Sequence, residues 1–317
     1  MKYISMVVPF YNEEAGIGPF SEAMERLSAE CSDYGFEFVC VDDGSRDSTL
    51  EMLIELARRD ARYRVIELTR NFGKEAALTA GLLAASGDAV IPFDADLQDP
   101  PELVRRMIAA WEDGADVVLA KRVDRGTDSW LKRKTAALFY RVNARLSQVV
   151  IPENVGDFRL MSRQVVGALA QLPERQRFMK GLLAWLGFRT VTIGYTRAAR
   201  SAGTSKFTGW RLWNFALEGI TSFSTLPLRI WTYIGGLCAL ATLCYAVIVV
   251  IKALLYGADV RGYTSTMAVI LFFGSLQLLS IGLLGEYIGR IYMESKLRPI
   301  YLVRREYSYG SGEAGDA

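Results

Sequence analysis

Two aspartates one residue apart, Asp94-Ala95-Asp96, are the sharpest chemical signal in this chain; Gln98 and Asp99 follow, then Pro100-Pro101. In extended backbone, residues i and i+2 project to one side, so both carboxylates would face one ligand. Two like charges held together repel unless a cation lies between them. Oxygen donors without imidazole or thiolate suit a hard ion, Mg²⁺ or Mn²⁺, bridging to phosphate. Asp-x-Asp alone recurs by chance; an apolar run before it and Gln98 and Asp99 behind it give it weight. Two further polar clusters have the same setting: Pro9-Phe10-Tyr11-Asn12-Glu13-Glu14 and Asp42-Asp43-Gly44-Ser45. The chain has no histidine, which removes imidazole acid/base chemistry and every imidazole metal site.

What must position these clusters is legible as alternation. Apolar runs at Ile4–Val8, Phe36–Val41, Tyr63–Leu68, Ala89–Phe93 and Asp116–Ala120 alternate with helical patterns near 17–31, 47–59, 74–85 and 101–112. That order predicts an α/β domain with a mostly parallel, Rossmann-like sheet covered on both faces. Ligands in such sheets bind beyond the carboxyl ends of the strands, where all three clusters fall.

Beyond residue 200 the composition changes. Ile230–Ile251 and Tyr263–Gly285 each carry no charged residue, and at about 1.5 Å per residue each spans roughly 30 Å, enough for a bilayer core. Two transmembrane helices are expected, about 230–252 and 263–285. Arg211 and Arg229 before them, and Arg290, Lys296, Arg298, Arg304 and Arg305 after them, place both ends on the cytoplasmic side. The aromatic and cationic stretch 206–228 suits the headgroup layer, with packing on the catalytic domain as the alternative. The expected domains are therefore 1–205 catalytic, 206–228 interfacial, 229–290 transmembrane, and 291–317 a cytoplasmic tail disordered from Tyr307. Net charge of +2 gives no argument for nucleic acid, and Cys31, Cys40, Cys238 and Cys244 form no C-x-x-C pair. Gly235-Gly236 and Gly282 leave room for close helix contact and hence a homo-oligomer.

VVPFYNEE, VDDGSRDST, RNFGKEAAL and FDADLQDPPE, in this order and spacing, resemble family-2 glycosyltransferases of the GT-A fold. GDFRLMSR at 156–163, RAARSAGTSKF at 197–207 and the two apolar runs resemble the polyprenyl-phosphate sugar transferases, a group that includes dolichol-phosphate mannose synthase and bacterial bactoprenol glucosyltransferases. The resemblance implies inverting transfer of a hexose, glucose favoured, from a nucleotide diphosphate sugar, UDP favoured, to undecaprenyl or another polyprenyl phosphate. The setting it implies is the cytoplasmic face of a bacterial inner membrane, in service of cell-envelope glycans.

Carried onto matching positions, the resemblance puts Pro9, Tyr11, Glu13, Asp42 and Asp43 around the nucleoside, and Gly73 and Lys74 in a loop beside the nucleotide. Asp94 would hold the donor, and Asp96 with Gln98 the metal and diphosphate, so that Asp94, Asp96 and Gln98 form the metal set. Asp94, Asp96 and Asp157 are the catalytic candidates. Asp157 is open between orienting the nucleophile, accepting a sugar hydroxyl and pairing with an arginine. Bland alternatives stand beside several of these: Asp43-Gly44-Ser45 as a turn, Asp47 as a helix cap, Lys74 as a solvated helix residue.

A phosphomonoester is already an oxygen nucleophile and is mostly dianionic at neutral pH. The harder task is holding two phosphate groups together, which requires cations. Arg122 beside the donor, and Arg125, Arg200, Ser205 and Lys206 at the lipid phosphate, are the leading candidates, with Arg141, Arg159 and Arg197 behind them. Two rival functions are a processive polysaccharide synthase and a non-catalytic sugar-nucleotide-binding scaffold. The synthase motif Q-x-x-R-W is absent at Arg175-Gln176-Arg177-Phe178-Met179-Lys180, and the scaffold would not need Asp94, Asp96 and Gln98.

Overall fold

The computed structural model describes residues 1–122, 155–195 apart from 176 and 178, and 262–309, with scattered positions between 231 and 255. Eight strands form one sheet: β1 (Lys2–Phe10), β2 (Tyr34–Asp42), β3 (Tyr63–Leu68), β4 (Ala89–Pro92), β5 (Val117–Arg122), β6 (Val155–Ser162), β7 (Thr190–Tyr195) and β8 (Val303–Ser308), in the order β7-β5-β6-β4-β1-β2-β3-β8. β6 and β8 run against the other strands. The sheet expected from the alternation is mostly parallel; the observed one is mixed, with the five early strands parallel and where the apolar runs put them.

Side-chain alternation along β1 explains the layering. Ile4, Met6, Val8 and Phe10 face one core, while Val7 faces the other. The first core is closed by α1 (Glu14–Glu30), α2 (Thr49–Arg59) and α4 (Leu103–Glu112). α3 (Lys74–Ala84), α5 (Arg163–Ala170) and α6 (Met179–Trp185) close the second. α3 lies so close to the sheet that a Cβ on Gly81 would come 2.3 Å from Val7 Cγ1. Strand order reverses at β1: β2 and β3 extend to one side of it and β4 lies on the other. This is a topological switch point, where a crevice opens at the carboxyl ends.

The C-terminal region departs from expectation. The tail was expected to lose order from Tyr307, yet β8 continues through Ser308 and pairs antiparallel with edge strand β3. Gly, Ser and acid content hid this, because its stabilising contacts are long-range. Arg304 pairs with Glu67 at 3.1 Å, Tyr307 donates its hydroxyl to Glu67 at 2.9 Å, and Arg64 pairs with Glu306. The tail is thus part of the catalytic sheet over β8.

The helix preceding β8, α7 (Tyr263–Ser295), runs 33 residues, longer than the expected 263–285. Its segment Phe272–Ser295 is long and apolar enough to cross a membrane, and it is the only such helix among the described residues. Phe272, Leu278, Leu279 and Ile288 lie 60, 72, 62 and 62 % exposed, so they do not belong to the sheet's core. At its far end Glu294 accepts the Arg175 backbone N–H at 3.0 Å, and Arg175 Nε donates to the Arg298 carbonyl at 2.6 Å. Of the run 230–252, Trp231 and Tyr233–Cys238 are helical. The remainder of that run, apart from Leu240, Ala241, Cys244, Tyr245, Val247, Ile248 and Ile251, which are also helical, the segment 206–228, and Arg125, Arg141, Arg197, Arg200, Ser205 and Lys206 lie outside the described residues.

Candidate active site

The crevice at the switch point has two halves. The first is built from the loops after β1, β2 and β3. Asp42 ends β2, 1 % exposed, and its Oδ2 accepts the Ser45 N–H at 3.2 Å while Oδ1 has no partner. Burial pushes this carboxyl up, opposed by the Ser45 hydrogen bonds. Asp43 turns the other way. Its Oδ1 and Oδ2 accept the N–H groups of Phe72 and Gly73 at 2.7 and 2.9 Å, which ties down the loop that delivers Lys74. Gly44 has φ +68, and a Cβ there would come 2.6 Å from the Arg70 backbone. Asn12 accepts the Arg46 N–H at 2.8 Å, and its own N–H donates to Ser45 Oγ at 3.0 Å. Asp47 caps locally: it accepts the N–H of Thr49 at 3.1 Å and its hydroxyl at 2.6 Å. Asp47 thus braces the start of α2 one residue before its Ser48 N-cap, while the Asp43 carboxylate serves the neighbouring loop and not a local turn. Over them Tyr11 stands 43 % exposed, and Glu13 is exposed beside it.

The second half lies between β4, β6, α3 and α6. Asp94 follows β4, and Asp157 lies near the start of β6, which runs antiparallel beside it. Phe93 and Phe158 pack edge-on at 5.5 Å and hold the two ends together. Lys74, first residue of α3, places its ammonium between the acids, 2.7 Å from Asp94 Oδ1 and 2.9 Å from Asp157 Oδ2. The Lys74 side chain is 44 % exposed, so the bridge is open to solvent on one side. Burial would depress the Lys74 pKa, but Asp157 and Asp94 raise it. Burial would raise that of Asp157, but Lys74 and Lys180 hold it below the usual carboxylate range. Lys74 is accordingly an ion-pair partner of both acids at a partly solvated helix start.

Two members of this cluster were not anticipated as site residues. Glu75 is pushed up to about 7 by burial and by Asp157, and its Oε2 is buried without a partner. Lys180, on α6, lies in the field of Asp157, Arg159, Glu75 and Lys74. Arg159, a secondary candidate in the sequence, is 4 % exposed and donates to the Gly156 carbonyl at 2.7 Å. The available signal was a charge inside a helix that is otherwise apolar: Glu75 within KEAALTAGLLA and Lys180 within MKGLLAW.

Asp94 and Asp96 do not share the extended backbone expected of them. β4 ends at Pro92, Ala95 and Asp96 form a turn, and Leu97 has φ +51. The two carboxylates consequently have different surroundings: Asp94 meets Lys74, while Asp96 Oδ1 accepts the Gln98 N–H at 3.2 Å. Among the described residues no three acids, cysteines or histidines converge as a ready metal site. The donor chemistry nevertheless fits a hard divalent ion. Burial together with Asp96, Asp47 and Asp94 raises the Glu13 pKa, as expected of crowded acids, and Gln98 Oε1 is buried without a partner. Pro9 is half-buried within β1, and Arg122 ends β5.

Comparison with known proteins agrees with this geometry. Residues 5–169 match the model of Glycosyl transferase family 2, and residues 226–291 match that of the GtrB C-terminal hairpin. Over 303 residues the chain is 54% identical to a bactoprenol glucosyl transferase of Shigella phage SfV, covering 96% of this chain and 98% of that one. It is 52% identical to a prophage bactoprenol glucosyl transferase homolog of Escherichia coli (strain K12), covering 95% and 98%. The chain belongs to glycosyl transferase family 2 and is a glycosyltransferase.

Proposed function

We propose that this family-2 glycosyltransferase moves glucose from UDP-glucose to a polyprenyl phosphate, inverting the anomeric carbon, at the cytoplasmic face of a bacterial inner membrane. The observation that carries the reading is the Lys74 ammonium held between Asp94 and Asp157 at the switch point, where donor and acceptor phosphates must meet. The names of relatives more than half identical over nearly the whole chain support the sugar and the acceptor class.

In this reading the nucleoside lies over Tyr11 and the Asp42 carboxylate, whose free Oδ1 accepts a base or ribose donor. Asp43 keeps the 70–73 loop rigid, so Lys74 is placed before substrate arrives. The acceptor phosphate oxygen attacks the anomeric carbon as the bond to the nucleoside diphosphate breaks; because that oxygen is already ionised, no strong base is required. Asp157, paired with Lys74, offsets the desolvation of this ammonium and holds it in place before the phosphates arrive. Asp96, Gln98 and Asp94 would hold Mg²⁺ or Mn²⁺, an ion that offsets diphosphate charge when bound.

The GtrB hairpin match over 226–291 and the exposed apolar surface of α7 support two membrane spans, with 206–228 at the interface. Arg122, and the cations 125, 200 and 206 with Ser205, remain assigned to phosphate on their sequence setting. The rival readings predict different products. Full-length protein in detergent with Mg²⁺, UDP-[¹⁴C]glucose and undecaprenyl phosphate should move label into the organic phase. Label in long polymer would favour a processive synthase, and no transfer from any donor would favour a scaffold.

A further inference from the structure

A cavity opens between β5, β6 and α6 on the face of the sheet that also carries α3. Val117, Leu119, Leu183 and Phe188 supply apolar wall, and Arg159 and Lys180 are set into the same lining. The combination is informative. A site for a soluble anion alone has no use for an aliphatic wall. A purely hydrocarbon site would not desolvate two cations, which is costly without a partner. Both features together suit an amphiphile with an anionic head.

Lys180 differs from its neighbours in having no assigned partner. Lys74 is committed to Asp94 and Asp157, and Arg159 to the carbonyls of Gly156 and Asp157. Among the described residues Lys180 makes no hydrogen bond or ion pair, although it is half-buried. Charge balance points the same way. Lys74, Arg159 and Lys180 face the carboxylates of Asp94 and Asp157, while burial pushes Glu75 up to about 7 and lowers Lys180, so Lys180 and its neighbouring cations would gain from a new anionic partner. The cluster is therefore short of negative charge, and an arriving anion would complete it.

We infer that Lys180 and Arg159 receive the phosphate of the polyprenyl acceptor, and that Val117, Leu119, Leu183 and Phe188 receive its first isoprene units. This rests on the proposed transfer to a polyprenyl phosphate and adds a subsite to it. The subsite adjoins Asp157, so the phosphate it holds is presented to the crevice from the side opposite the nucleoside loops.

The test uses full-length protein in detergent, with KM for undecaprenyl phosphate measured at saturating UDP-glucose and UDP affinity measured separately by calorimetry. Lys180→Met should raise the lipid KM roughly 10- to 100-fold, the loss expected for one charge-assisted contact, and leave the UDP Kd within about twofold. Lys180→Arg should recover most of the loss. Ala184→Trp, which fills the cavity without touching its charge, should raise the lipid KM with UDP binding intact. Thermal melts and the unchanged UDP Kd identify variants that are folded. A lipid KM unmoved in both Lys180→Met and Ala184→Trp overturns the assignment. A UDP Kd weakened in parallel also overturns it, and gives the cavity to the donor diphosphate. If wild-type protein moves no glucose to the lipid, the underlying reading fails and this subsite fails with it. Wild-type transfer with indifferent variants sinks the subsite alone.

Discussion

The two halves of the crevice hold their polar groups in opposite ways. On the side of β1, β2 and β3, side chains are satisfied mostly by backbone a few residues away or in the adjoining loop: Asp43 by Phe72 and Gly73, Asn12 by Arg46, Asp47 by Thr49. On the side of β4 and β6, charges from four elements gather: Lys74 pairs with Asp94 and Asp157, and Glu75, Arg159 and Lys180 lie in the same field. The first half is a scaffold that fixes loop shape. The second is an electrostatic cluster tuned for arriving phosphates. A lesion in the scaffold should therefore cost stability first, and a lesion in the cluster should cost turnover first.

The largest expected effect is in the cluster. Asp157→Asn keeps the shape but removes a charge that Lys74 relies on, and Asp96→Asn removes a hard oxygen charge from the group expected to bind the metal. Each should lower kcat by roughly 10²- to 10³-fold, the range seen when one preorganised electrostatic group is lost, with Tm nearly unchanged in Asp96→Asn and lowered by a few degrees in Asp157→Asn, whose charge Lys74 and Lys180 stabilise. Steady-state transfer alongside thermal melts checks this. Full activity in Asp96→Asn would remove it from the metal set, and an unfolded Asp157→Asn would make the cluster structural.

In the scaffold, Asp43→Ala leaves two backbone N–H groups without their acceptor. At about 1–3 kcal/mol for each buried unsatisfied group, Tm should fall by several degrees, while KM for UDP-glucose rises as the 70–73 loop loosens. A variant that loses turnover with an unchanged Tm would erase the contrast between the halves.

The smallest effect separates charge from shape at Glu75. Its carboxyl is pushed up to about 7 from 4.5, first by burial and then by Asp157. The native state therefore keeps this proton where the unfolded chain has lost it, and stability falls as pH climbs from 4.5 to about 7. Glu75→Gln should remove this pH dependence and raise Tm by about 2–4 °C at pH 8, with little change at pH 4.5. A Tm gain equal at both pH values would show that packing, not ionisation, is responsible.

How far the sequence could be read follows the same division. β1 to β5 and their helices announce themselves as apolar runs and helical periods, because each element's burial is encoded locally. Asp42, Asp43 and Asp94 stand out because they follow such runs directly. Lys180 and Glu75 do not, since what makes them notable is the approach of α6 and α3 to β6, which joins segments about a hundred residues apart. β8 was hidden for the same reason: VRREYS reads as a polar tail until Glu67, Arg64 and Tyr307 are brought together. The Asp94–Asp96 pair shows the converse error. Spacing was legible, but the turn at Ala95 and the positive φ of Leu97 send the two carboxylates to different neighbours.

The central claim is that one crevice holds the nucleotide on its scaffold side and the acceptor phosphate on its charged side. A structure of the full chain with UDP, Mn²⁺ and a short-chain polyprenyl phosphate tests it most directly. In that structure the uridine should lie against Tyr11 and Asp42, the diphosphate beside Asp96, and the lipid phosphate at Lys180 and Arg159. A nucleotide bound away from the β1 and β4 loops, or a lipid phosphate remote from Asp157, would contradict it.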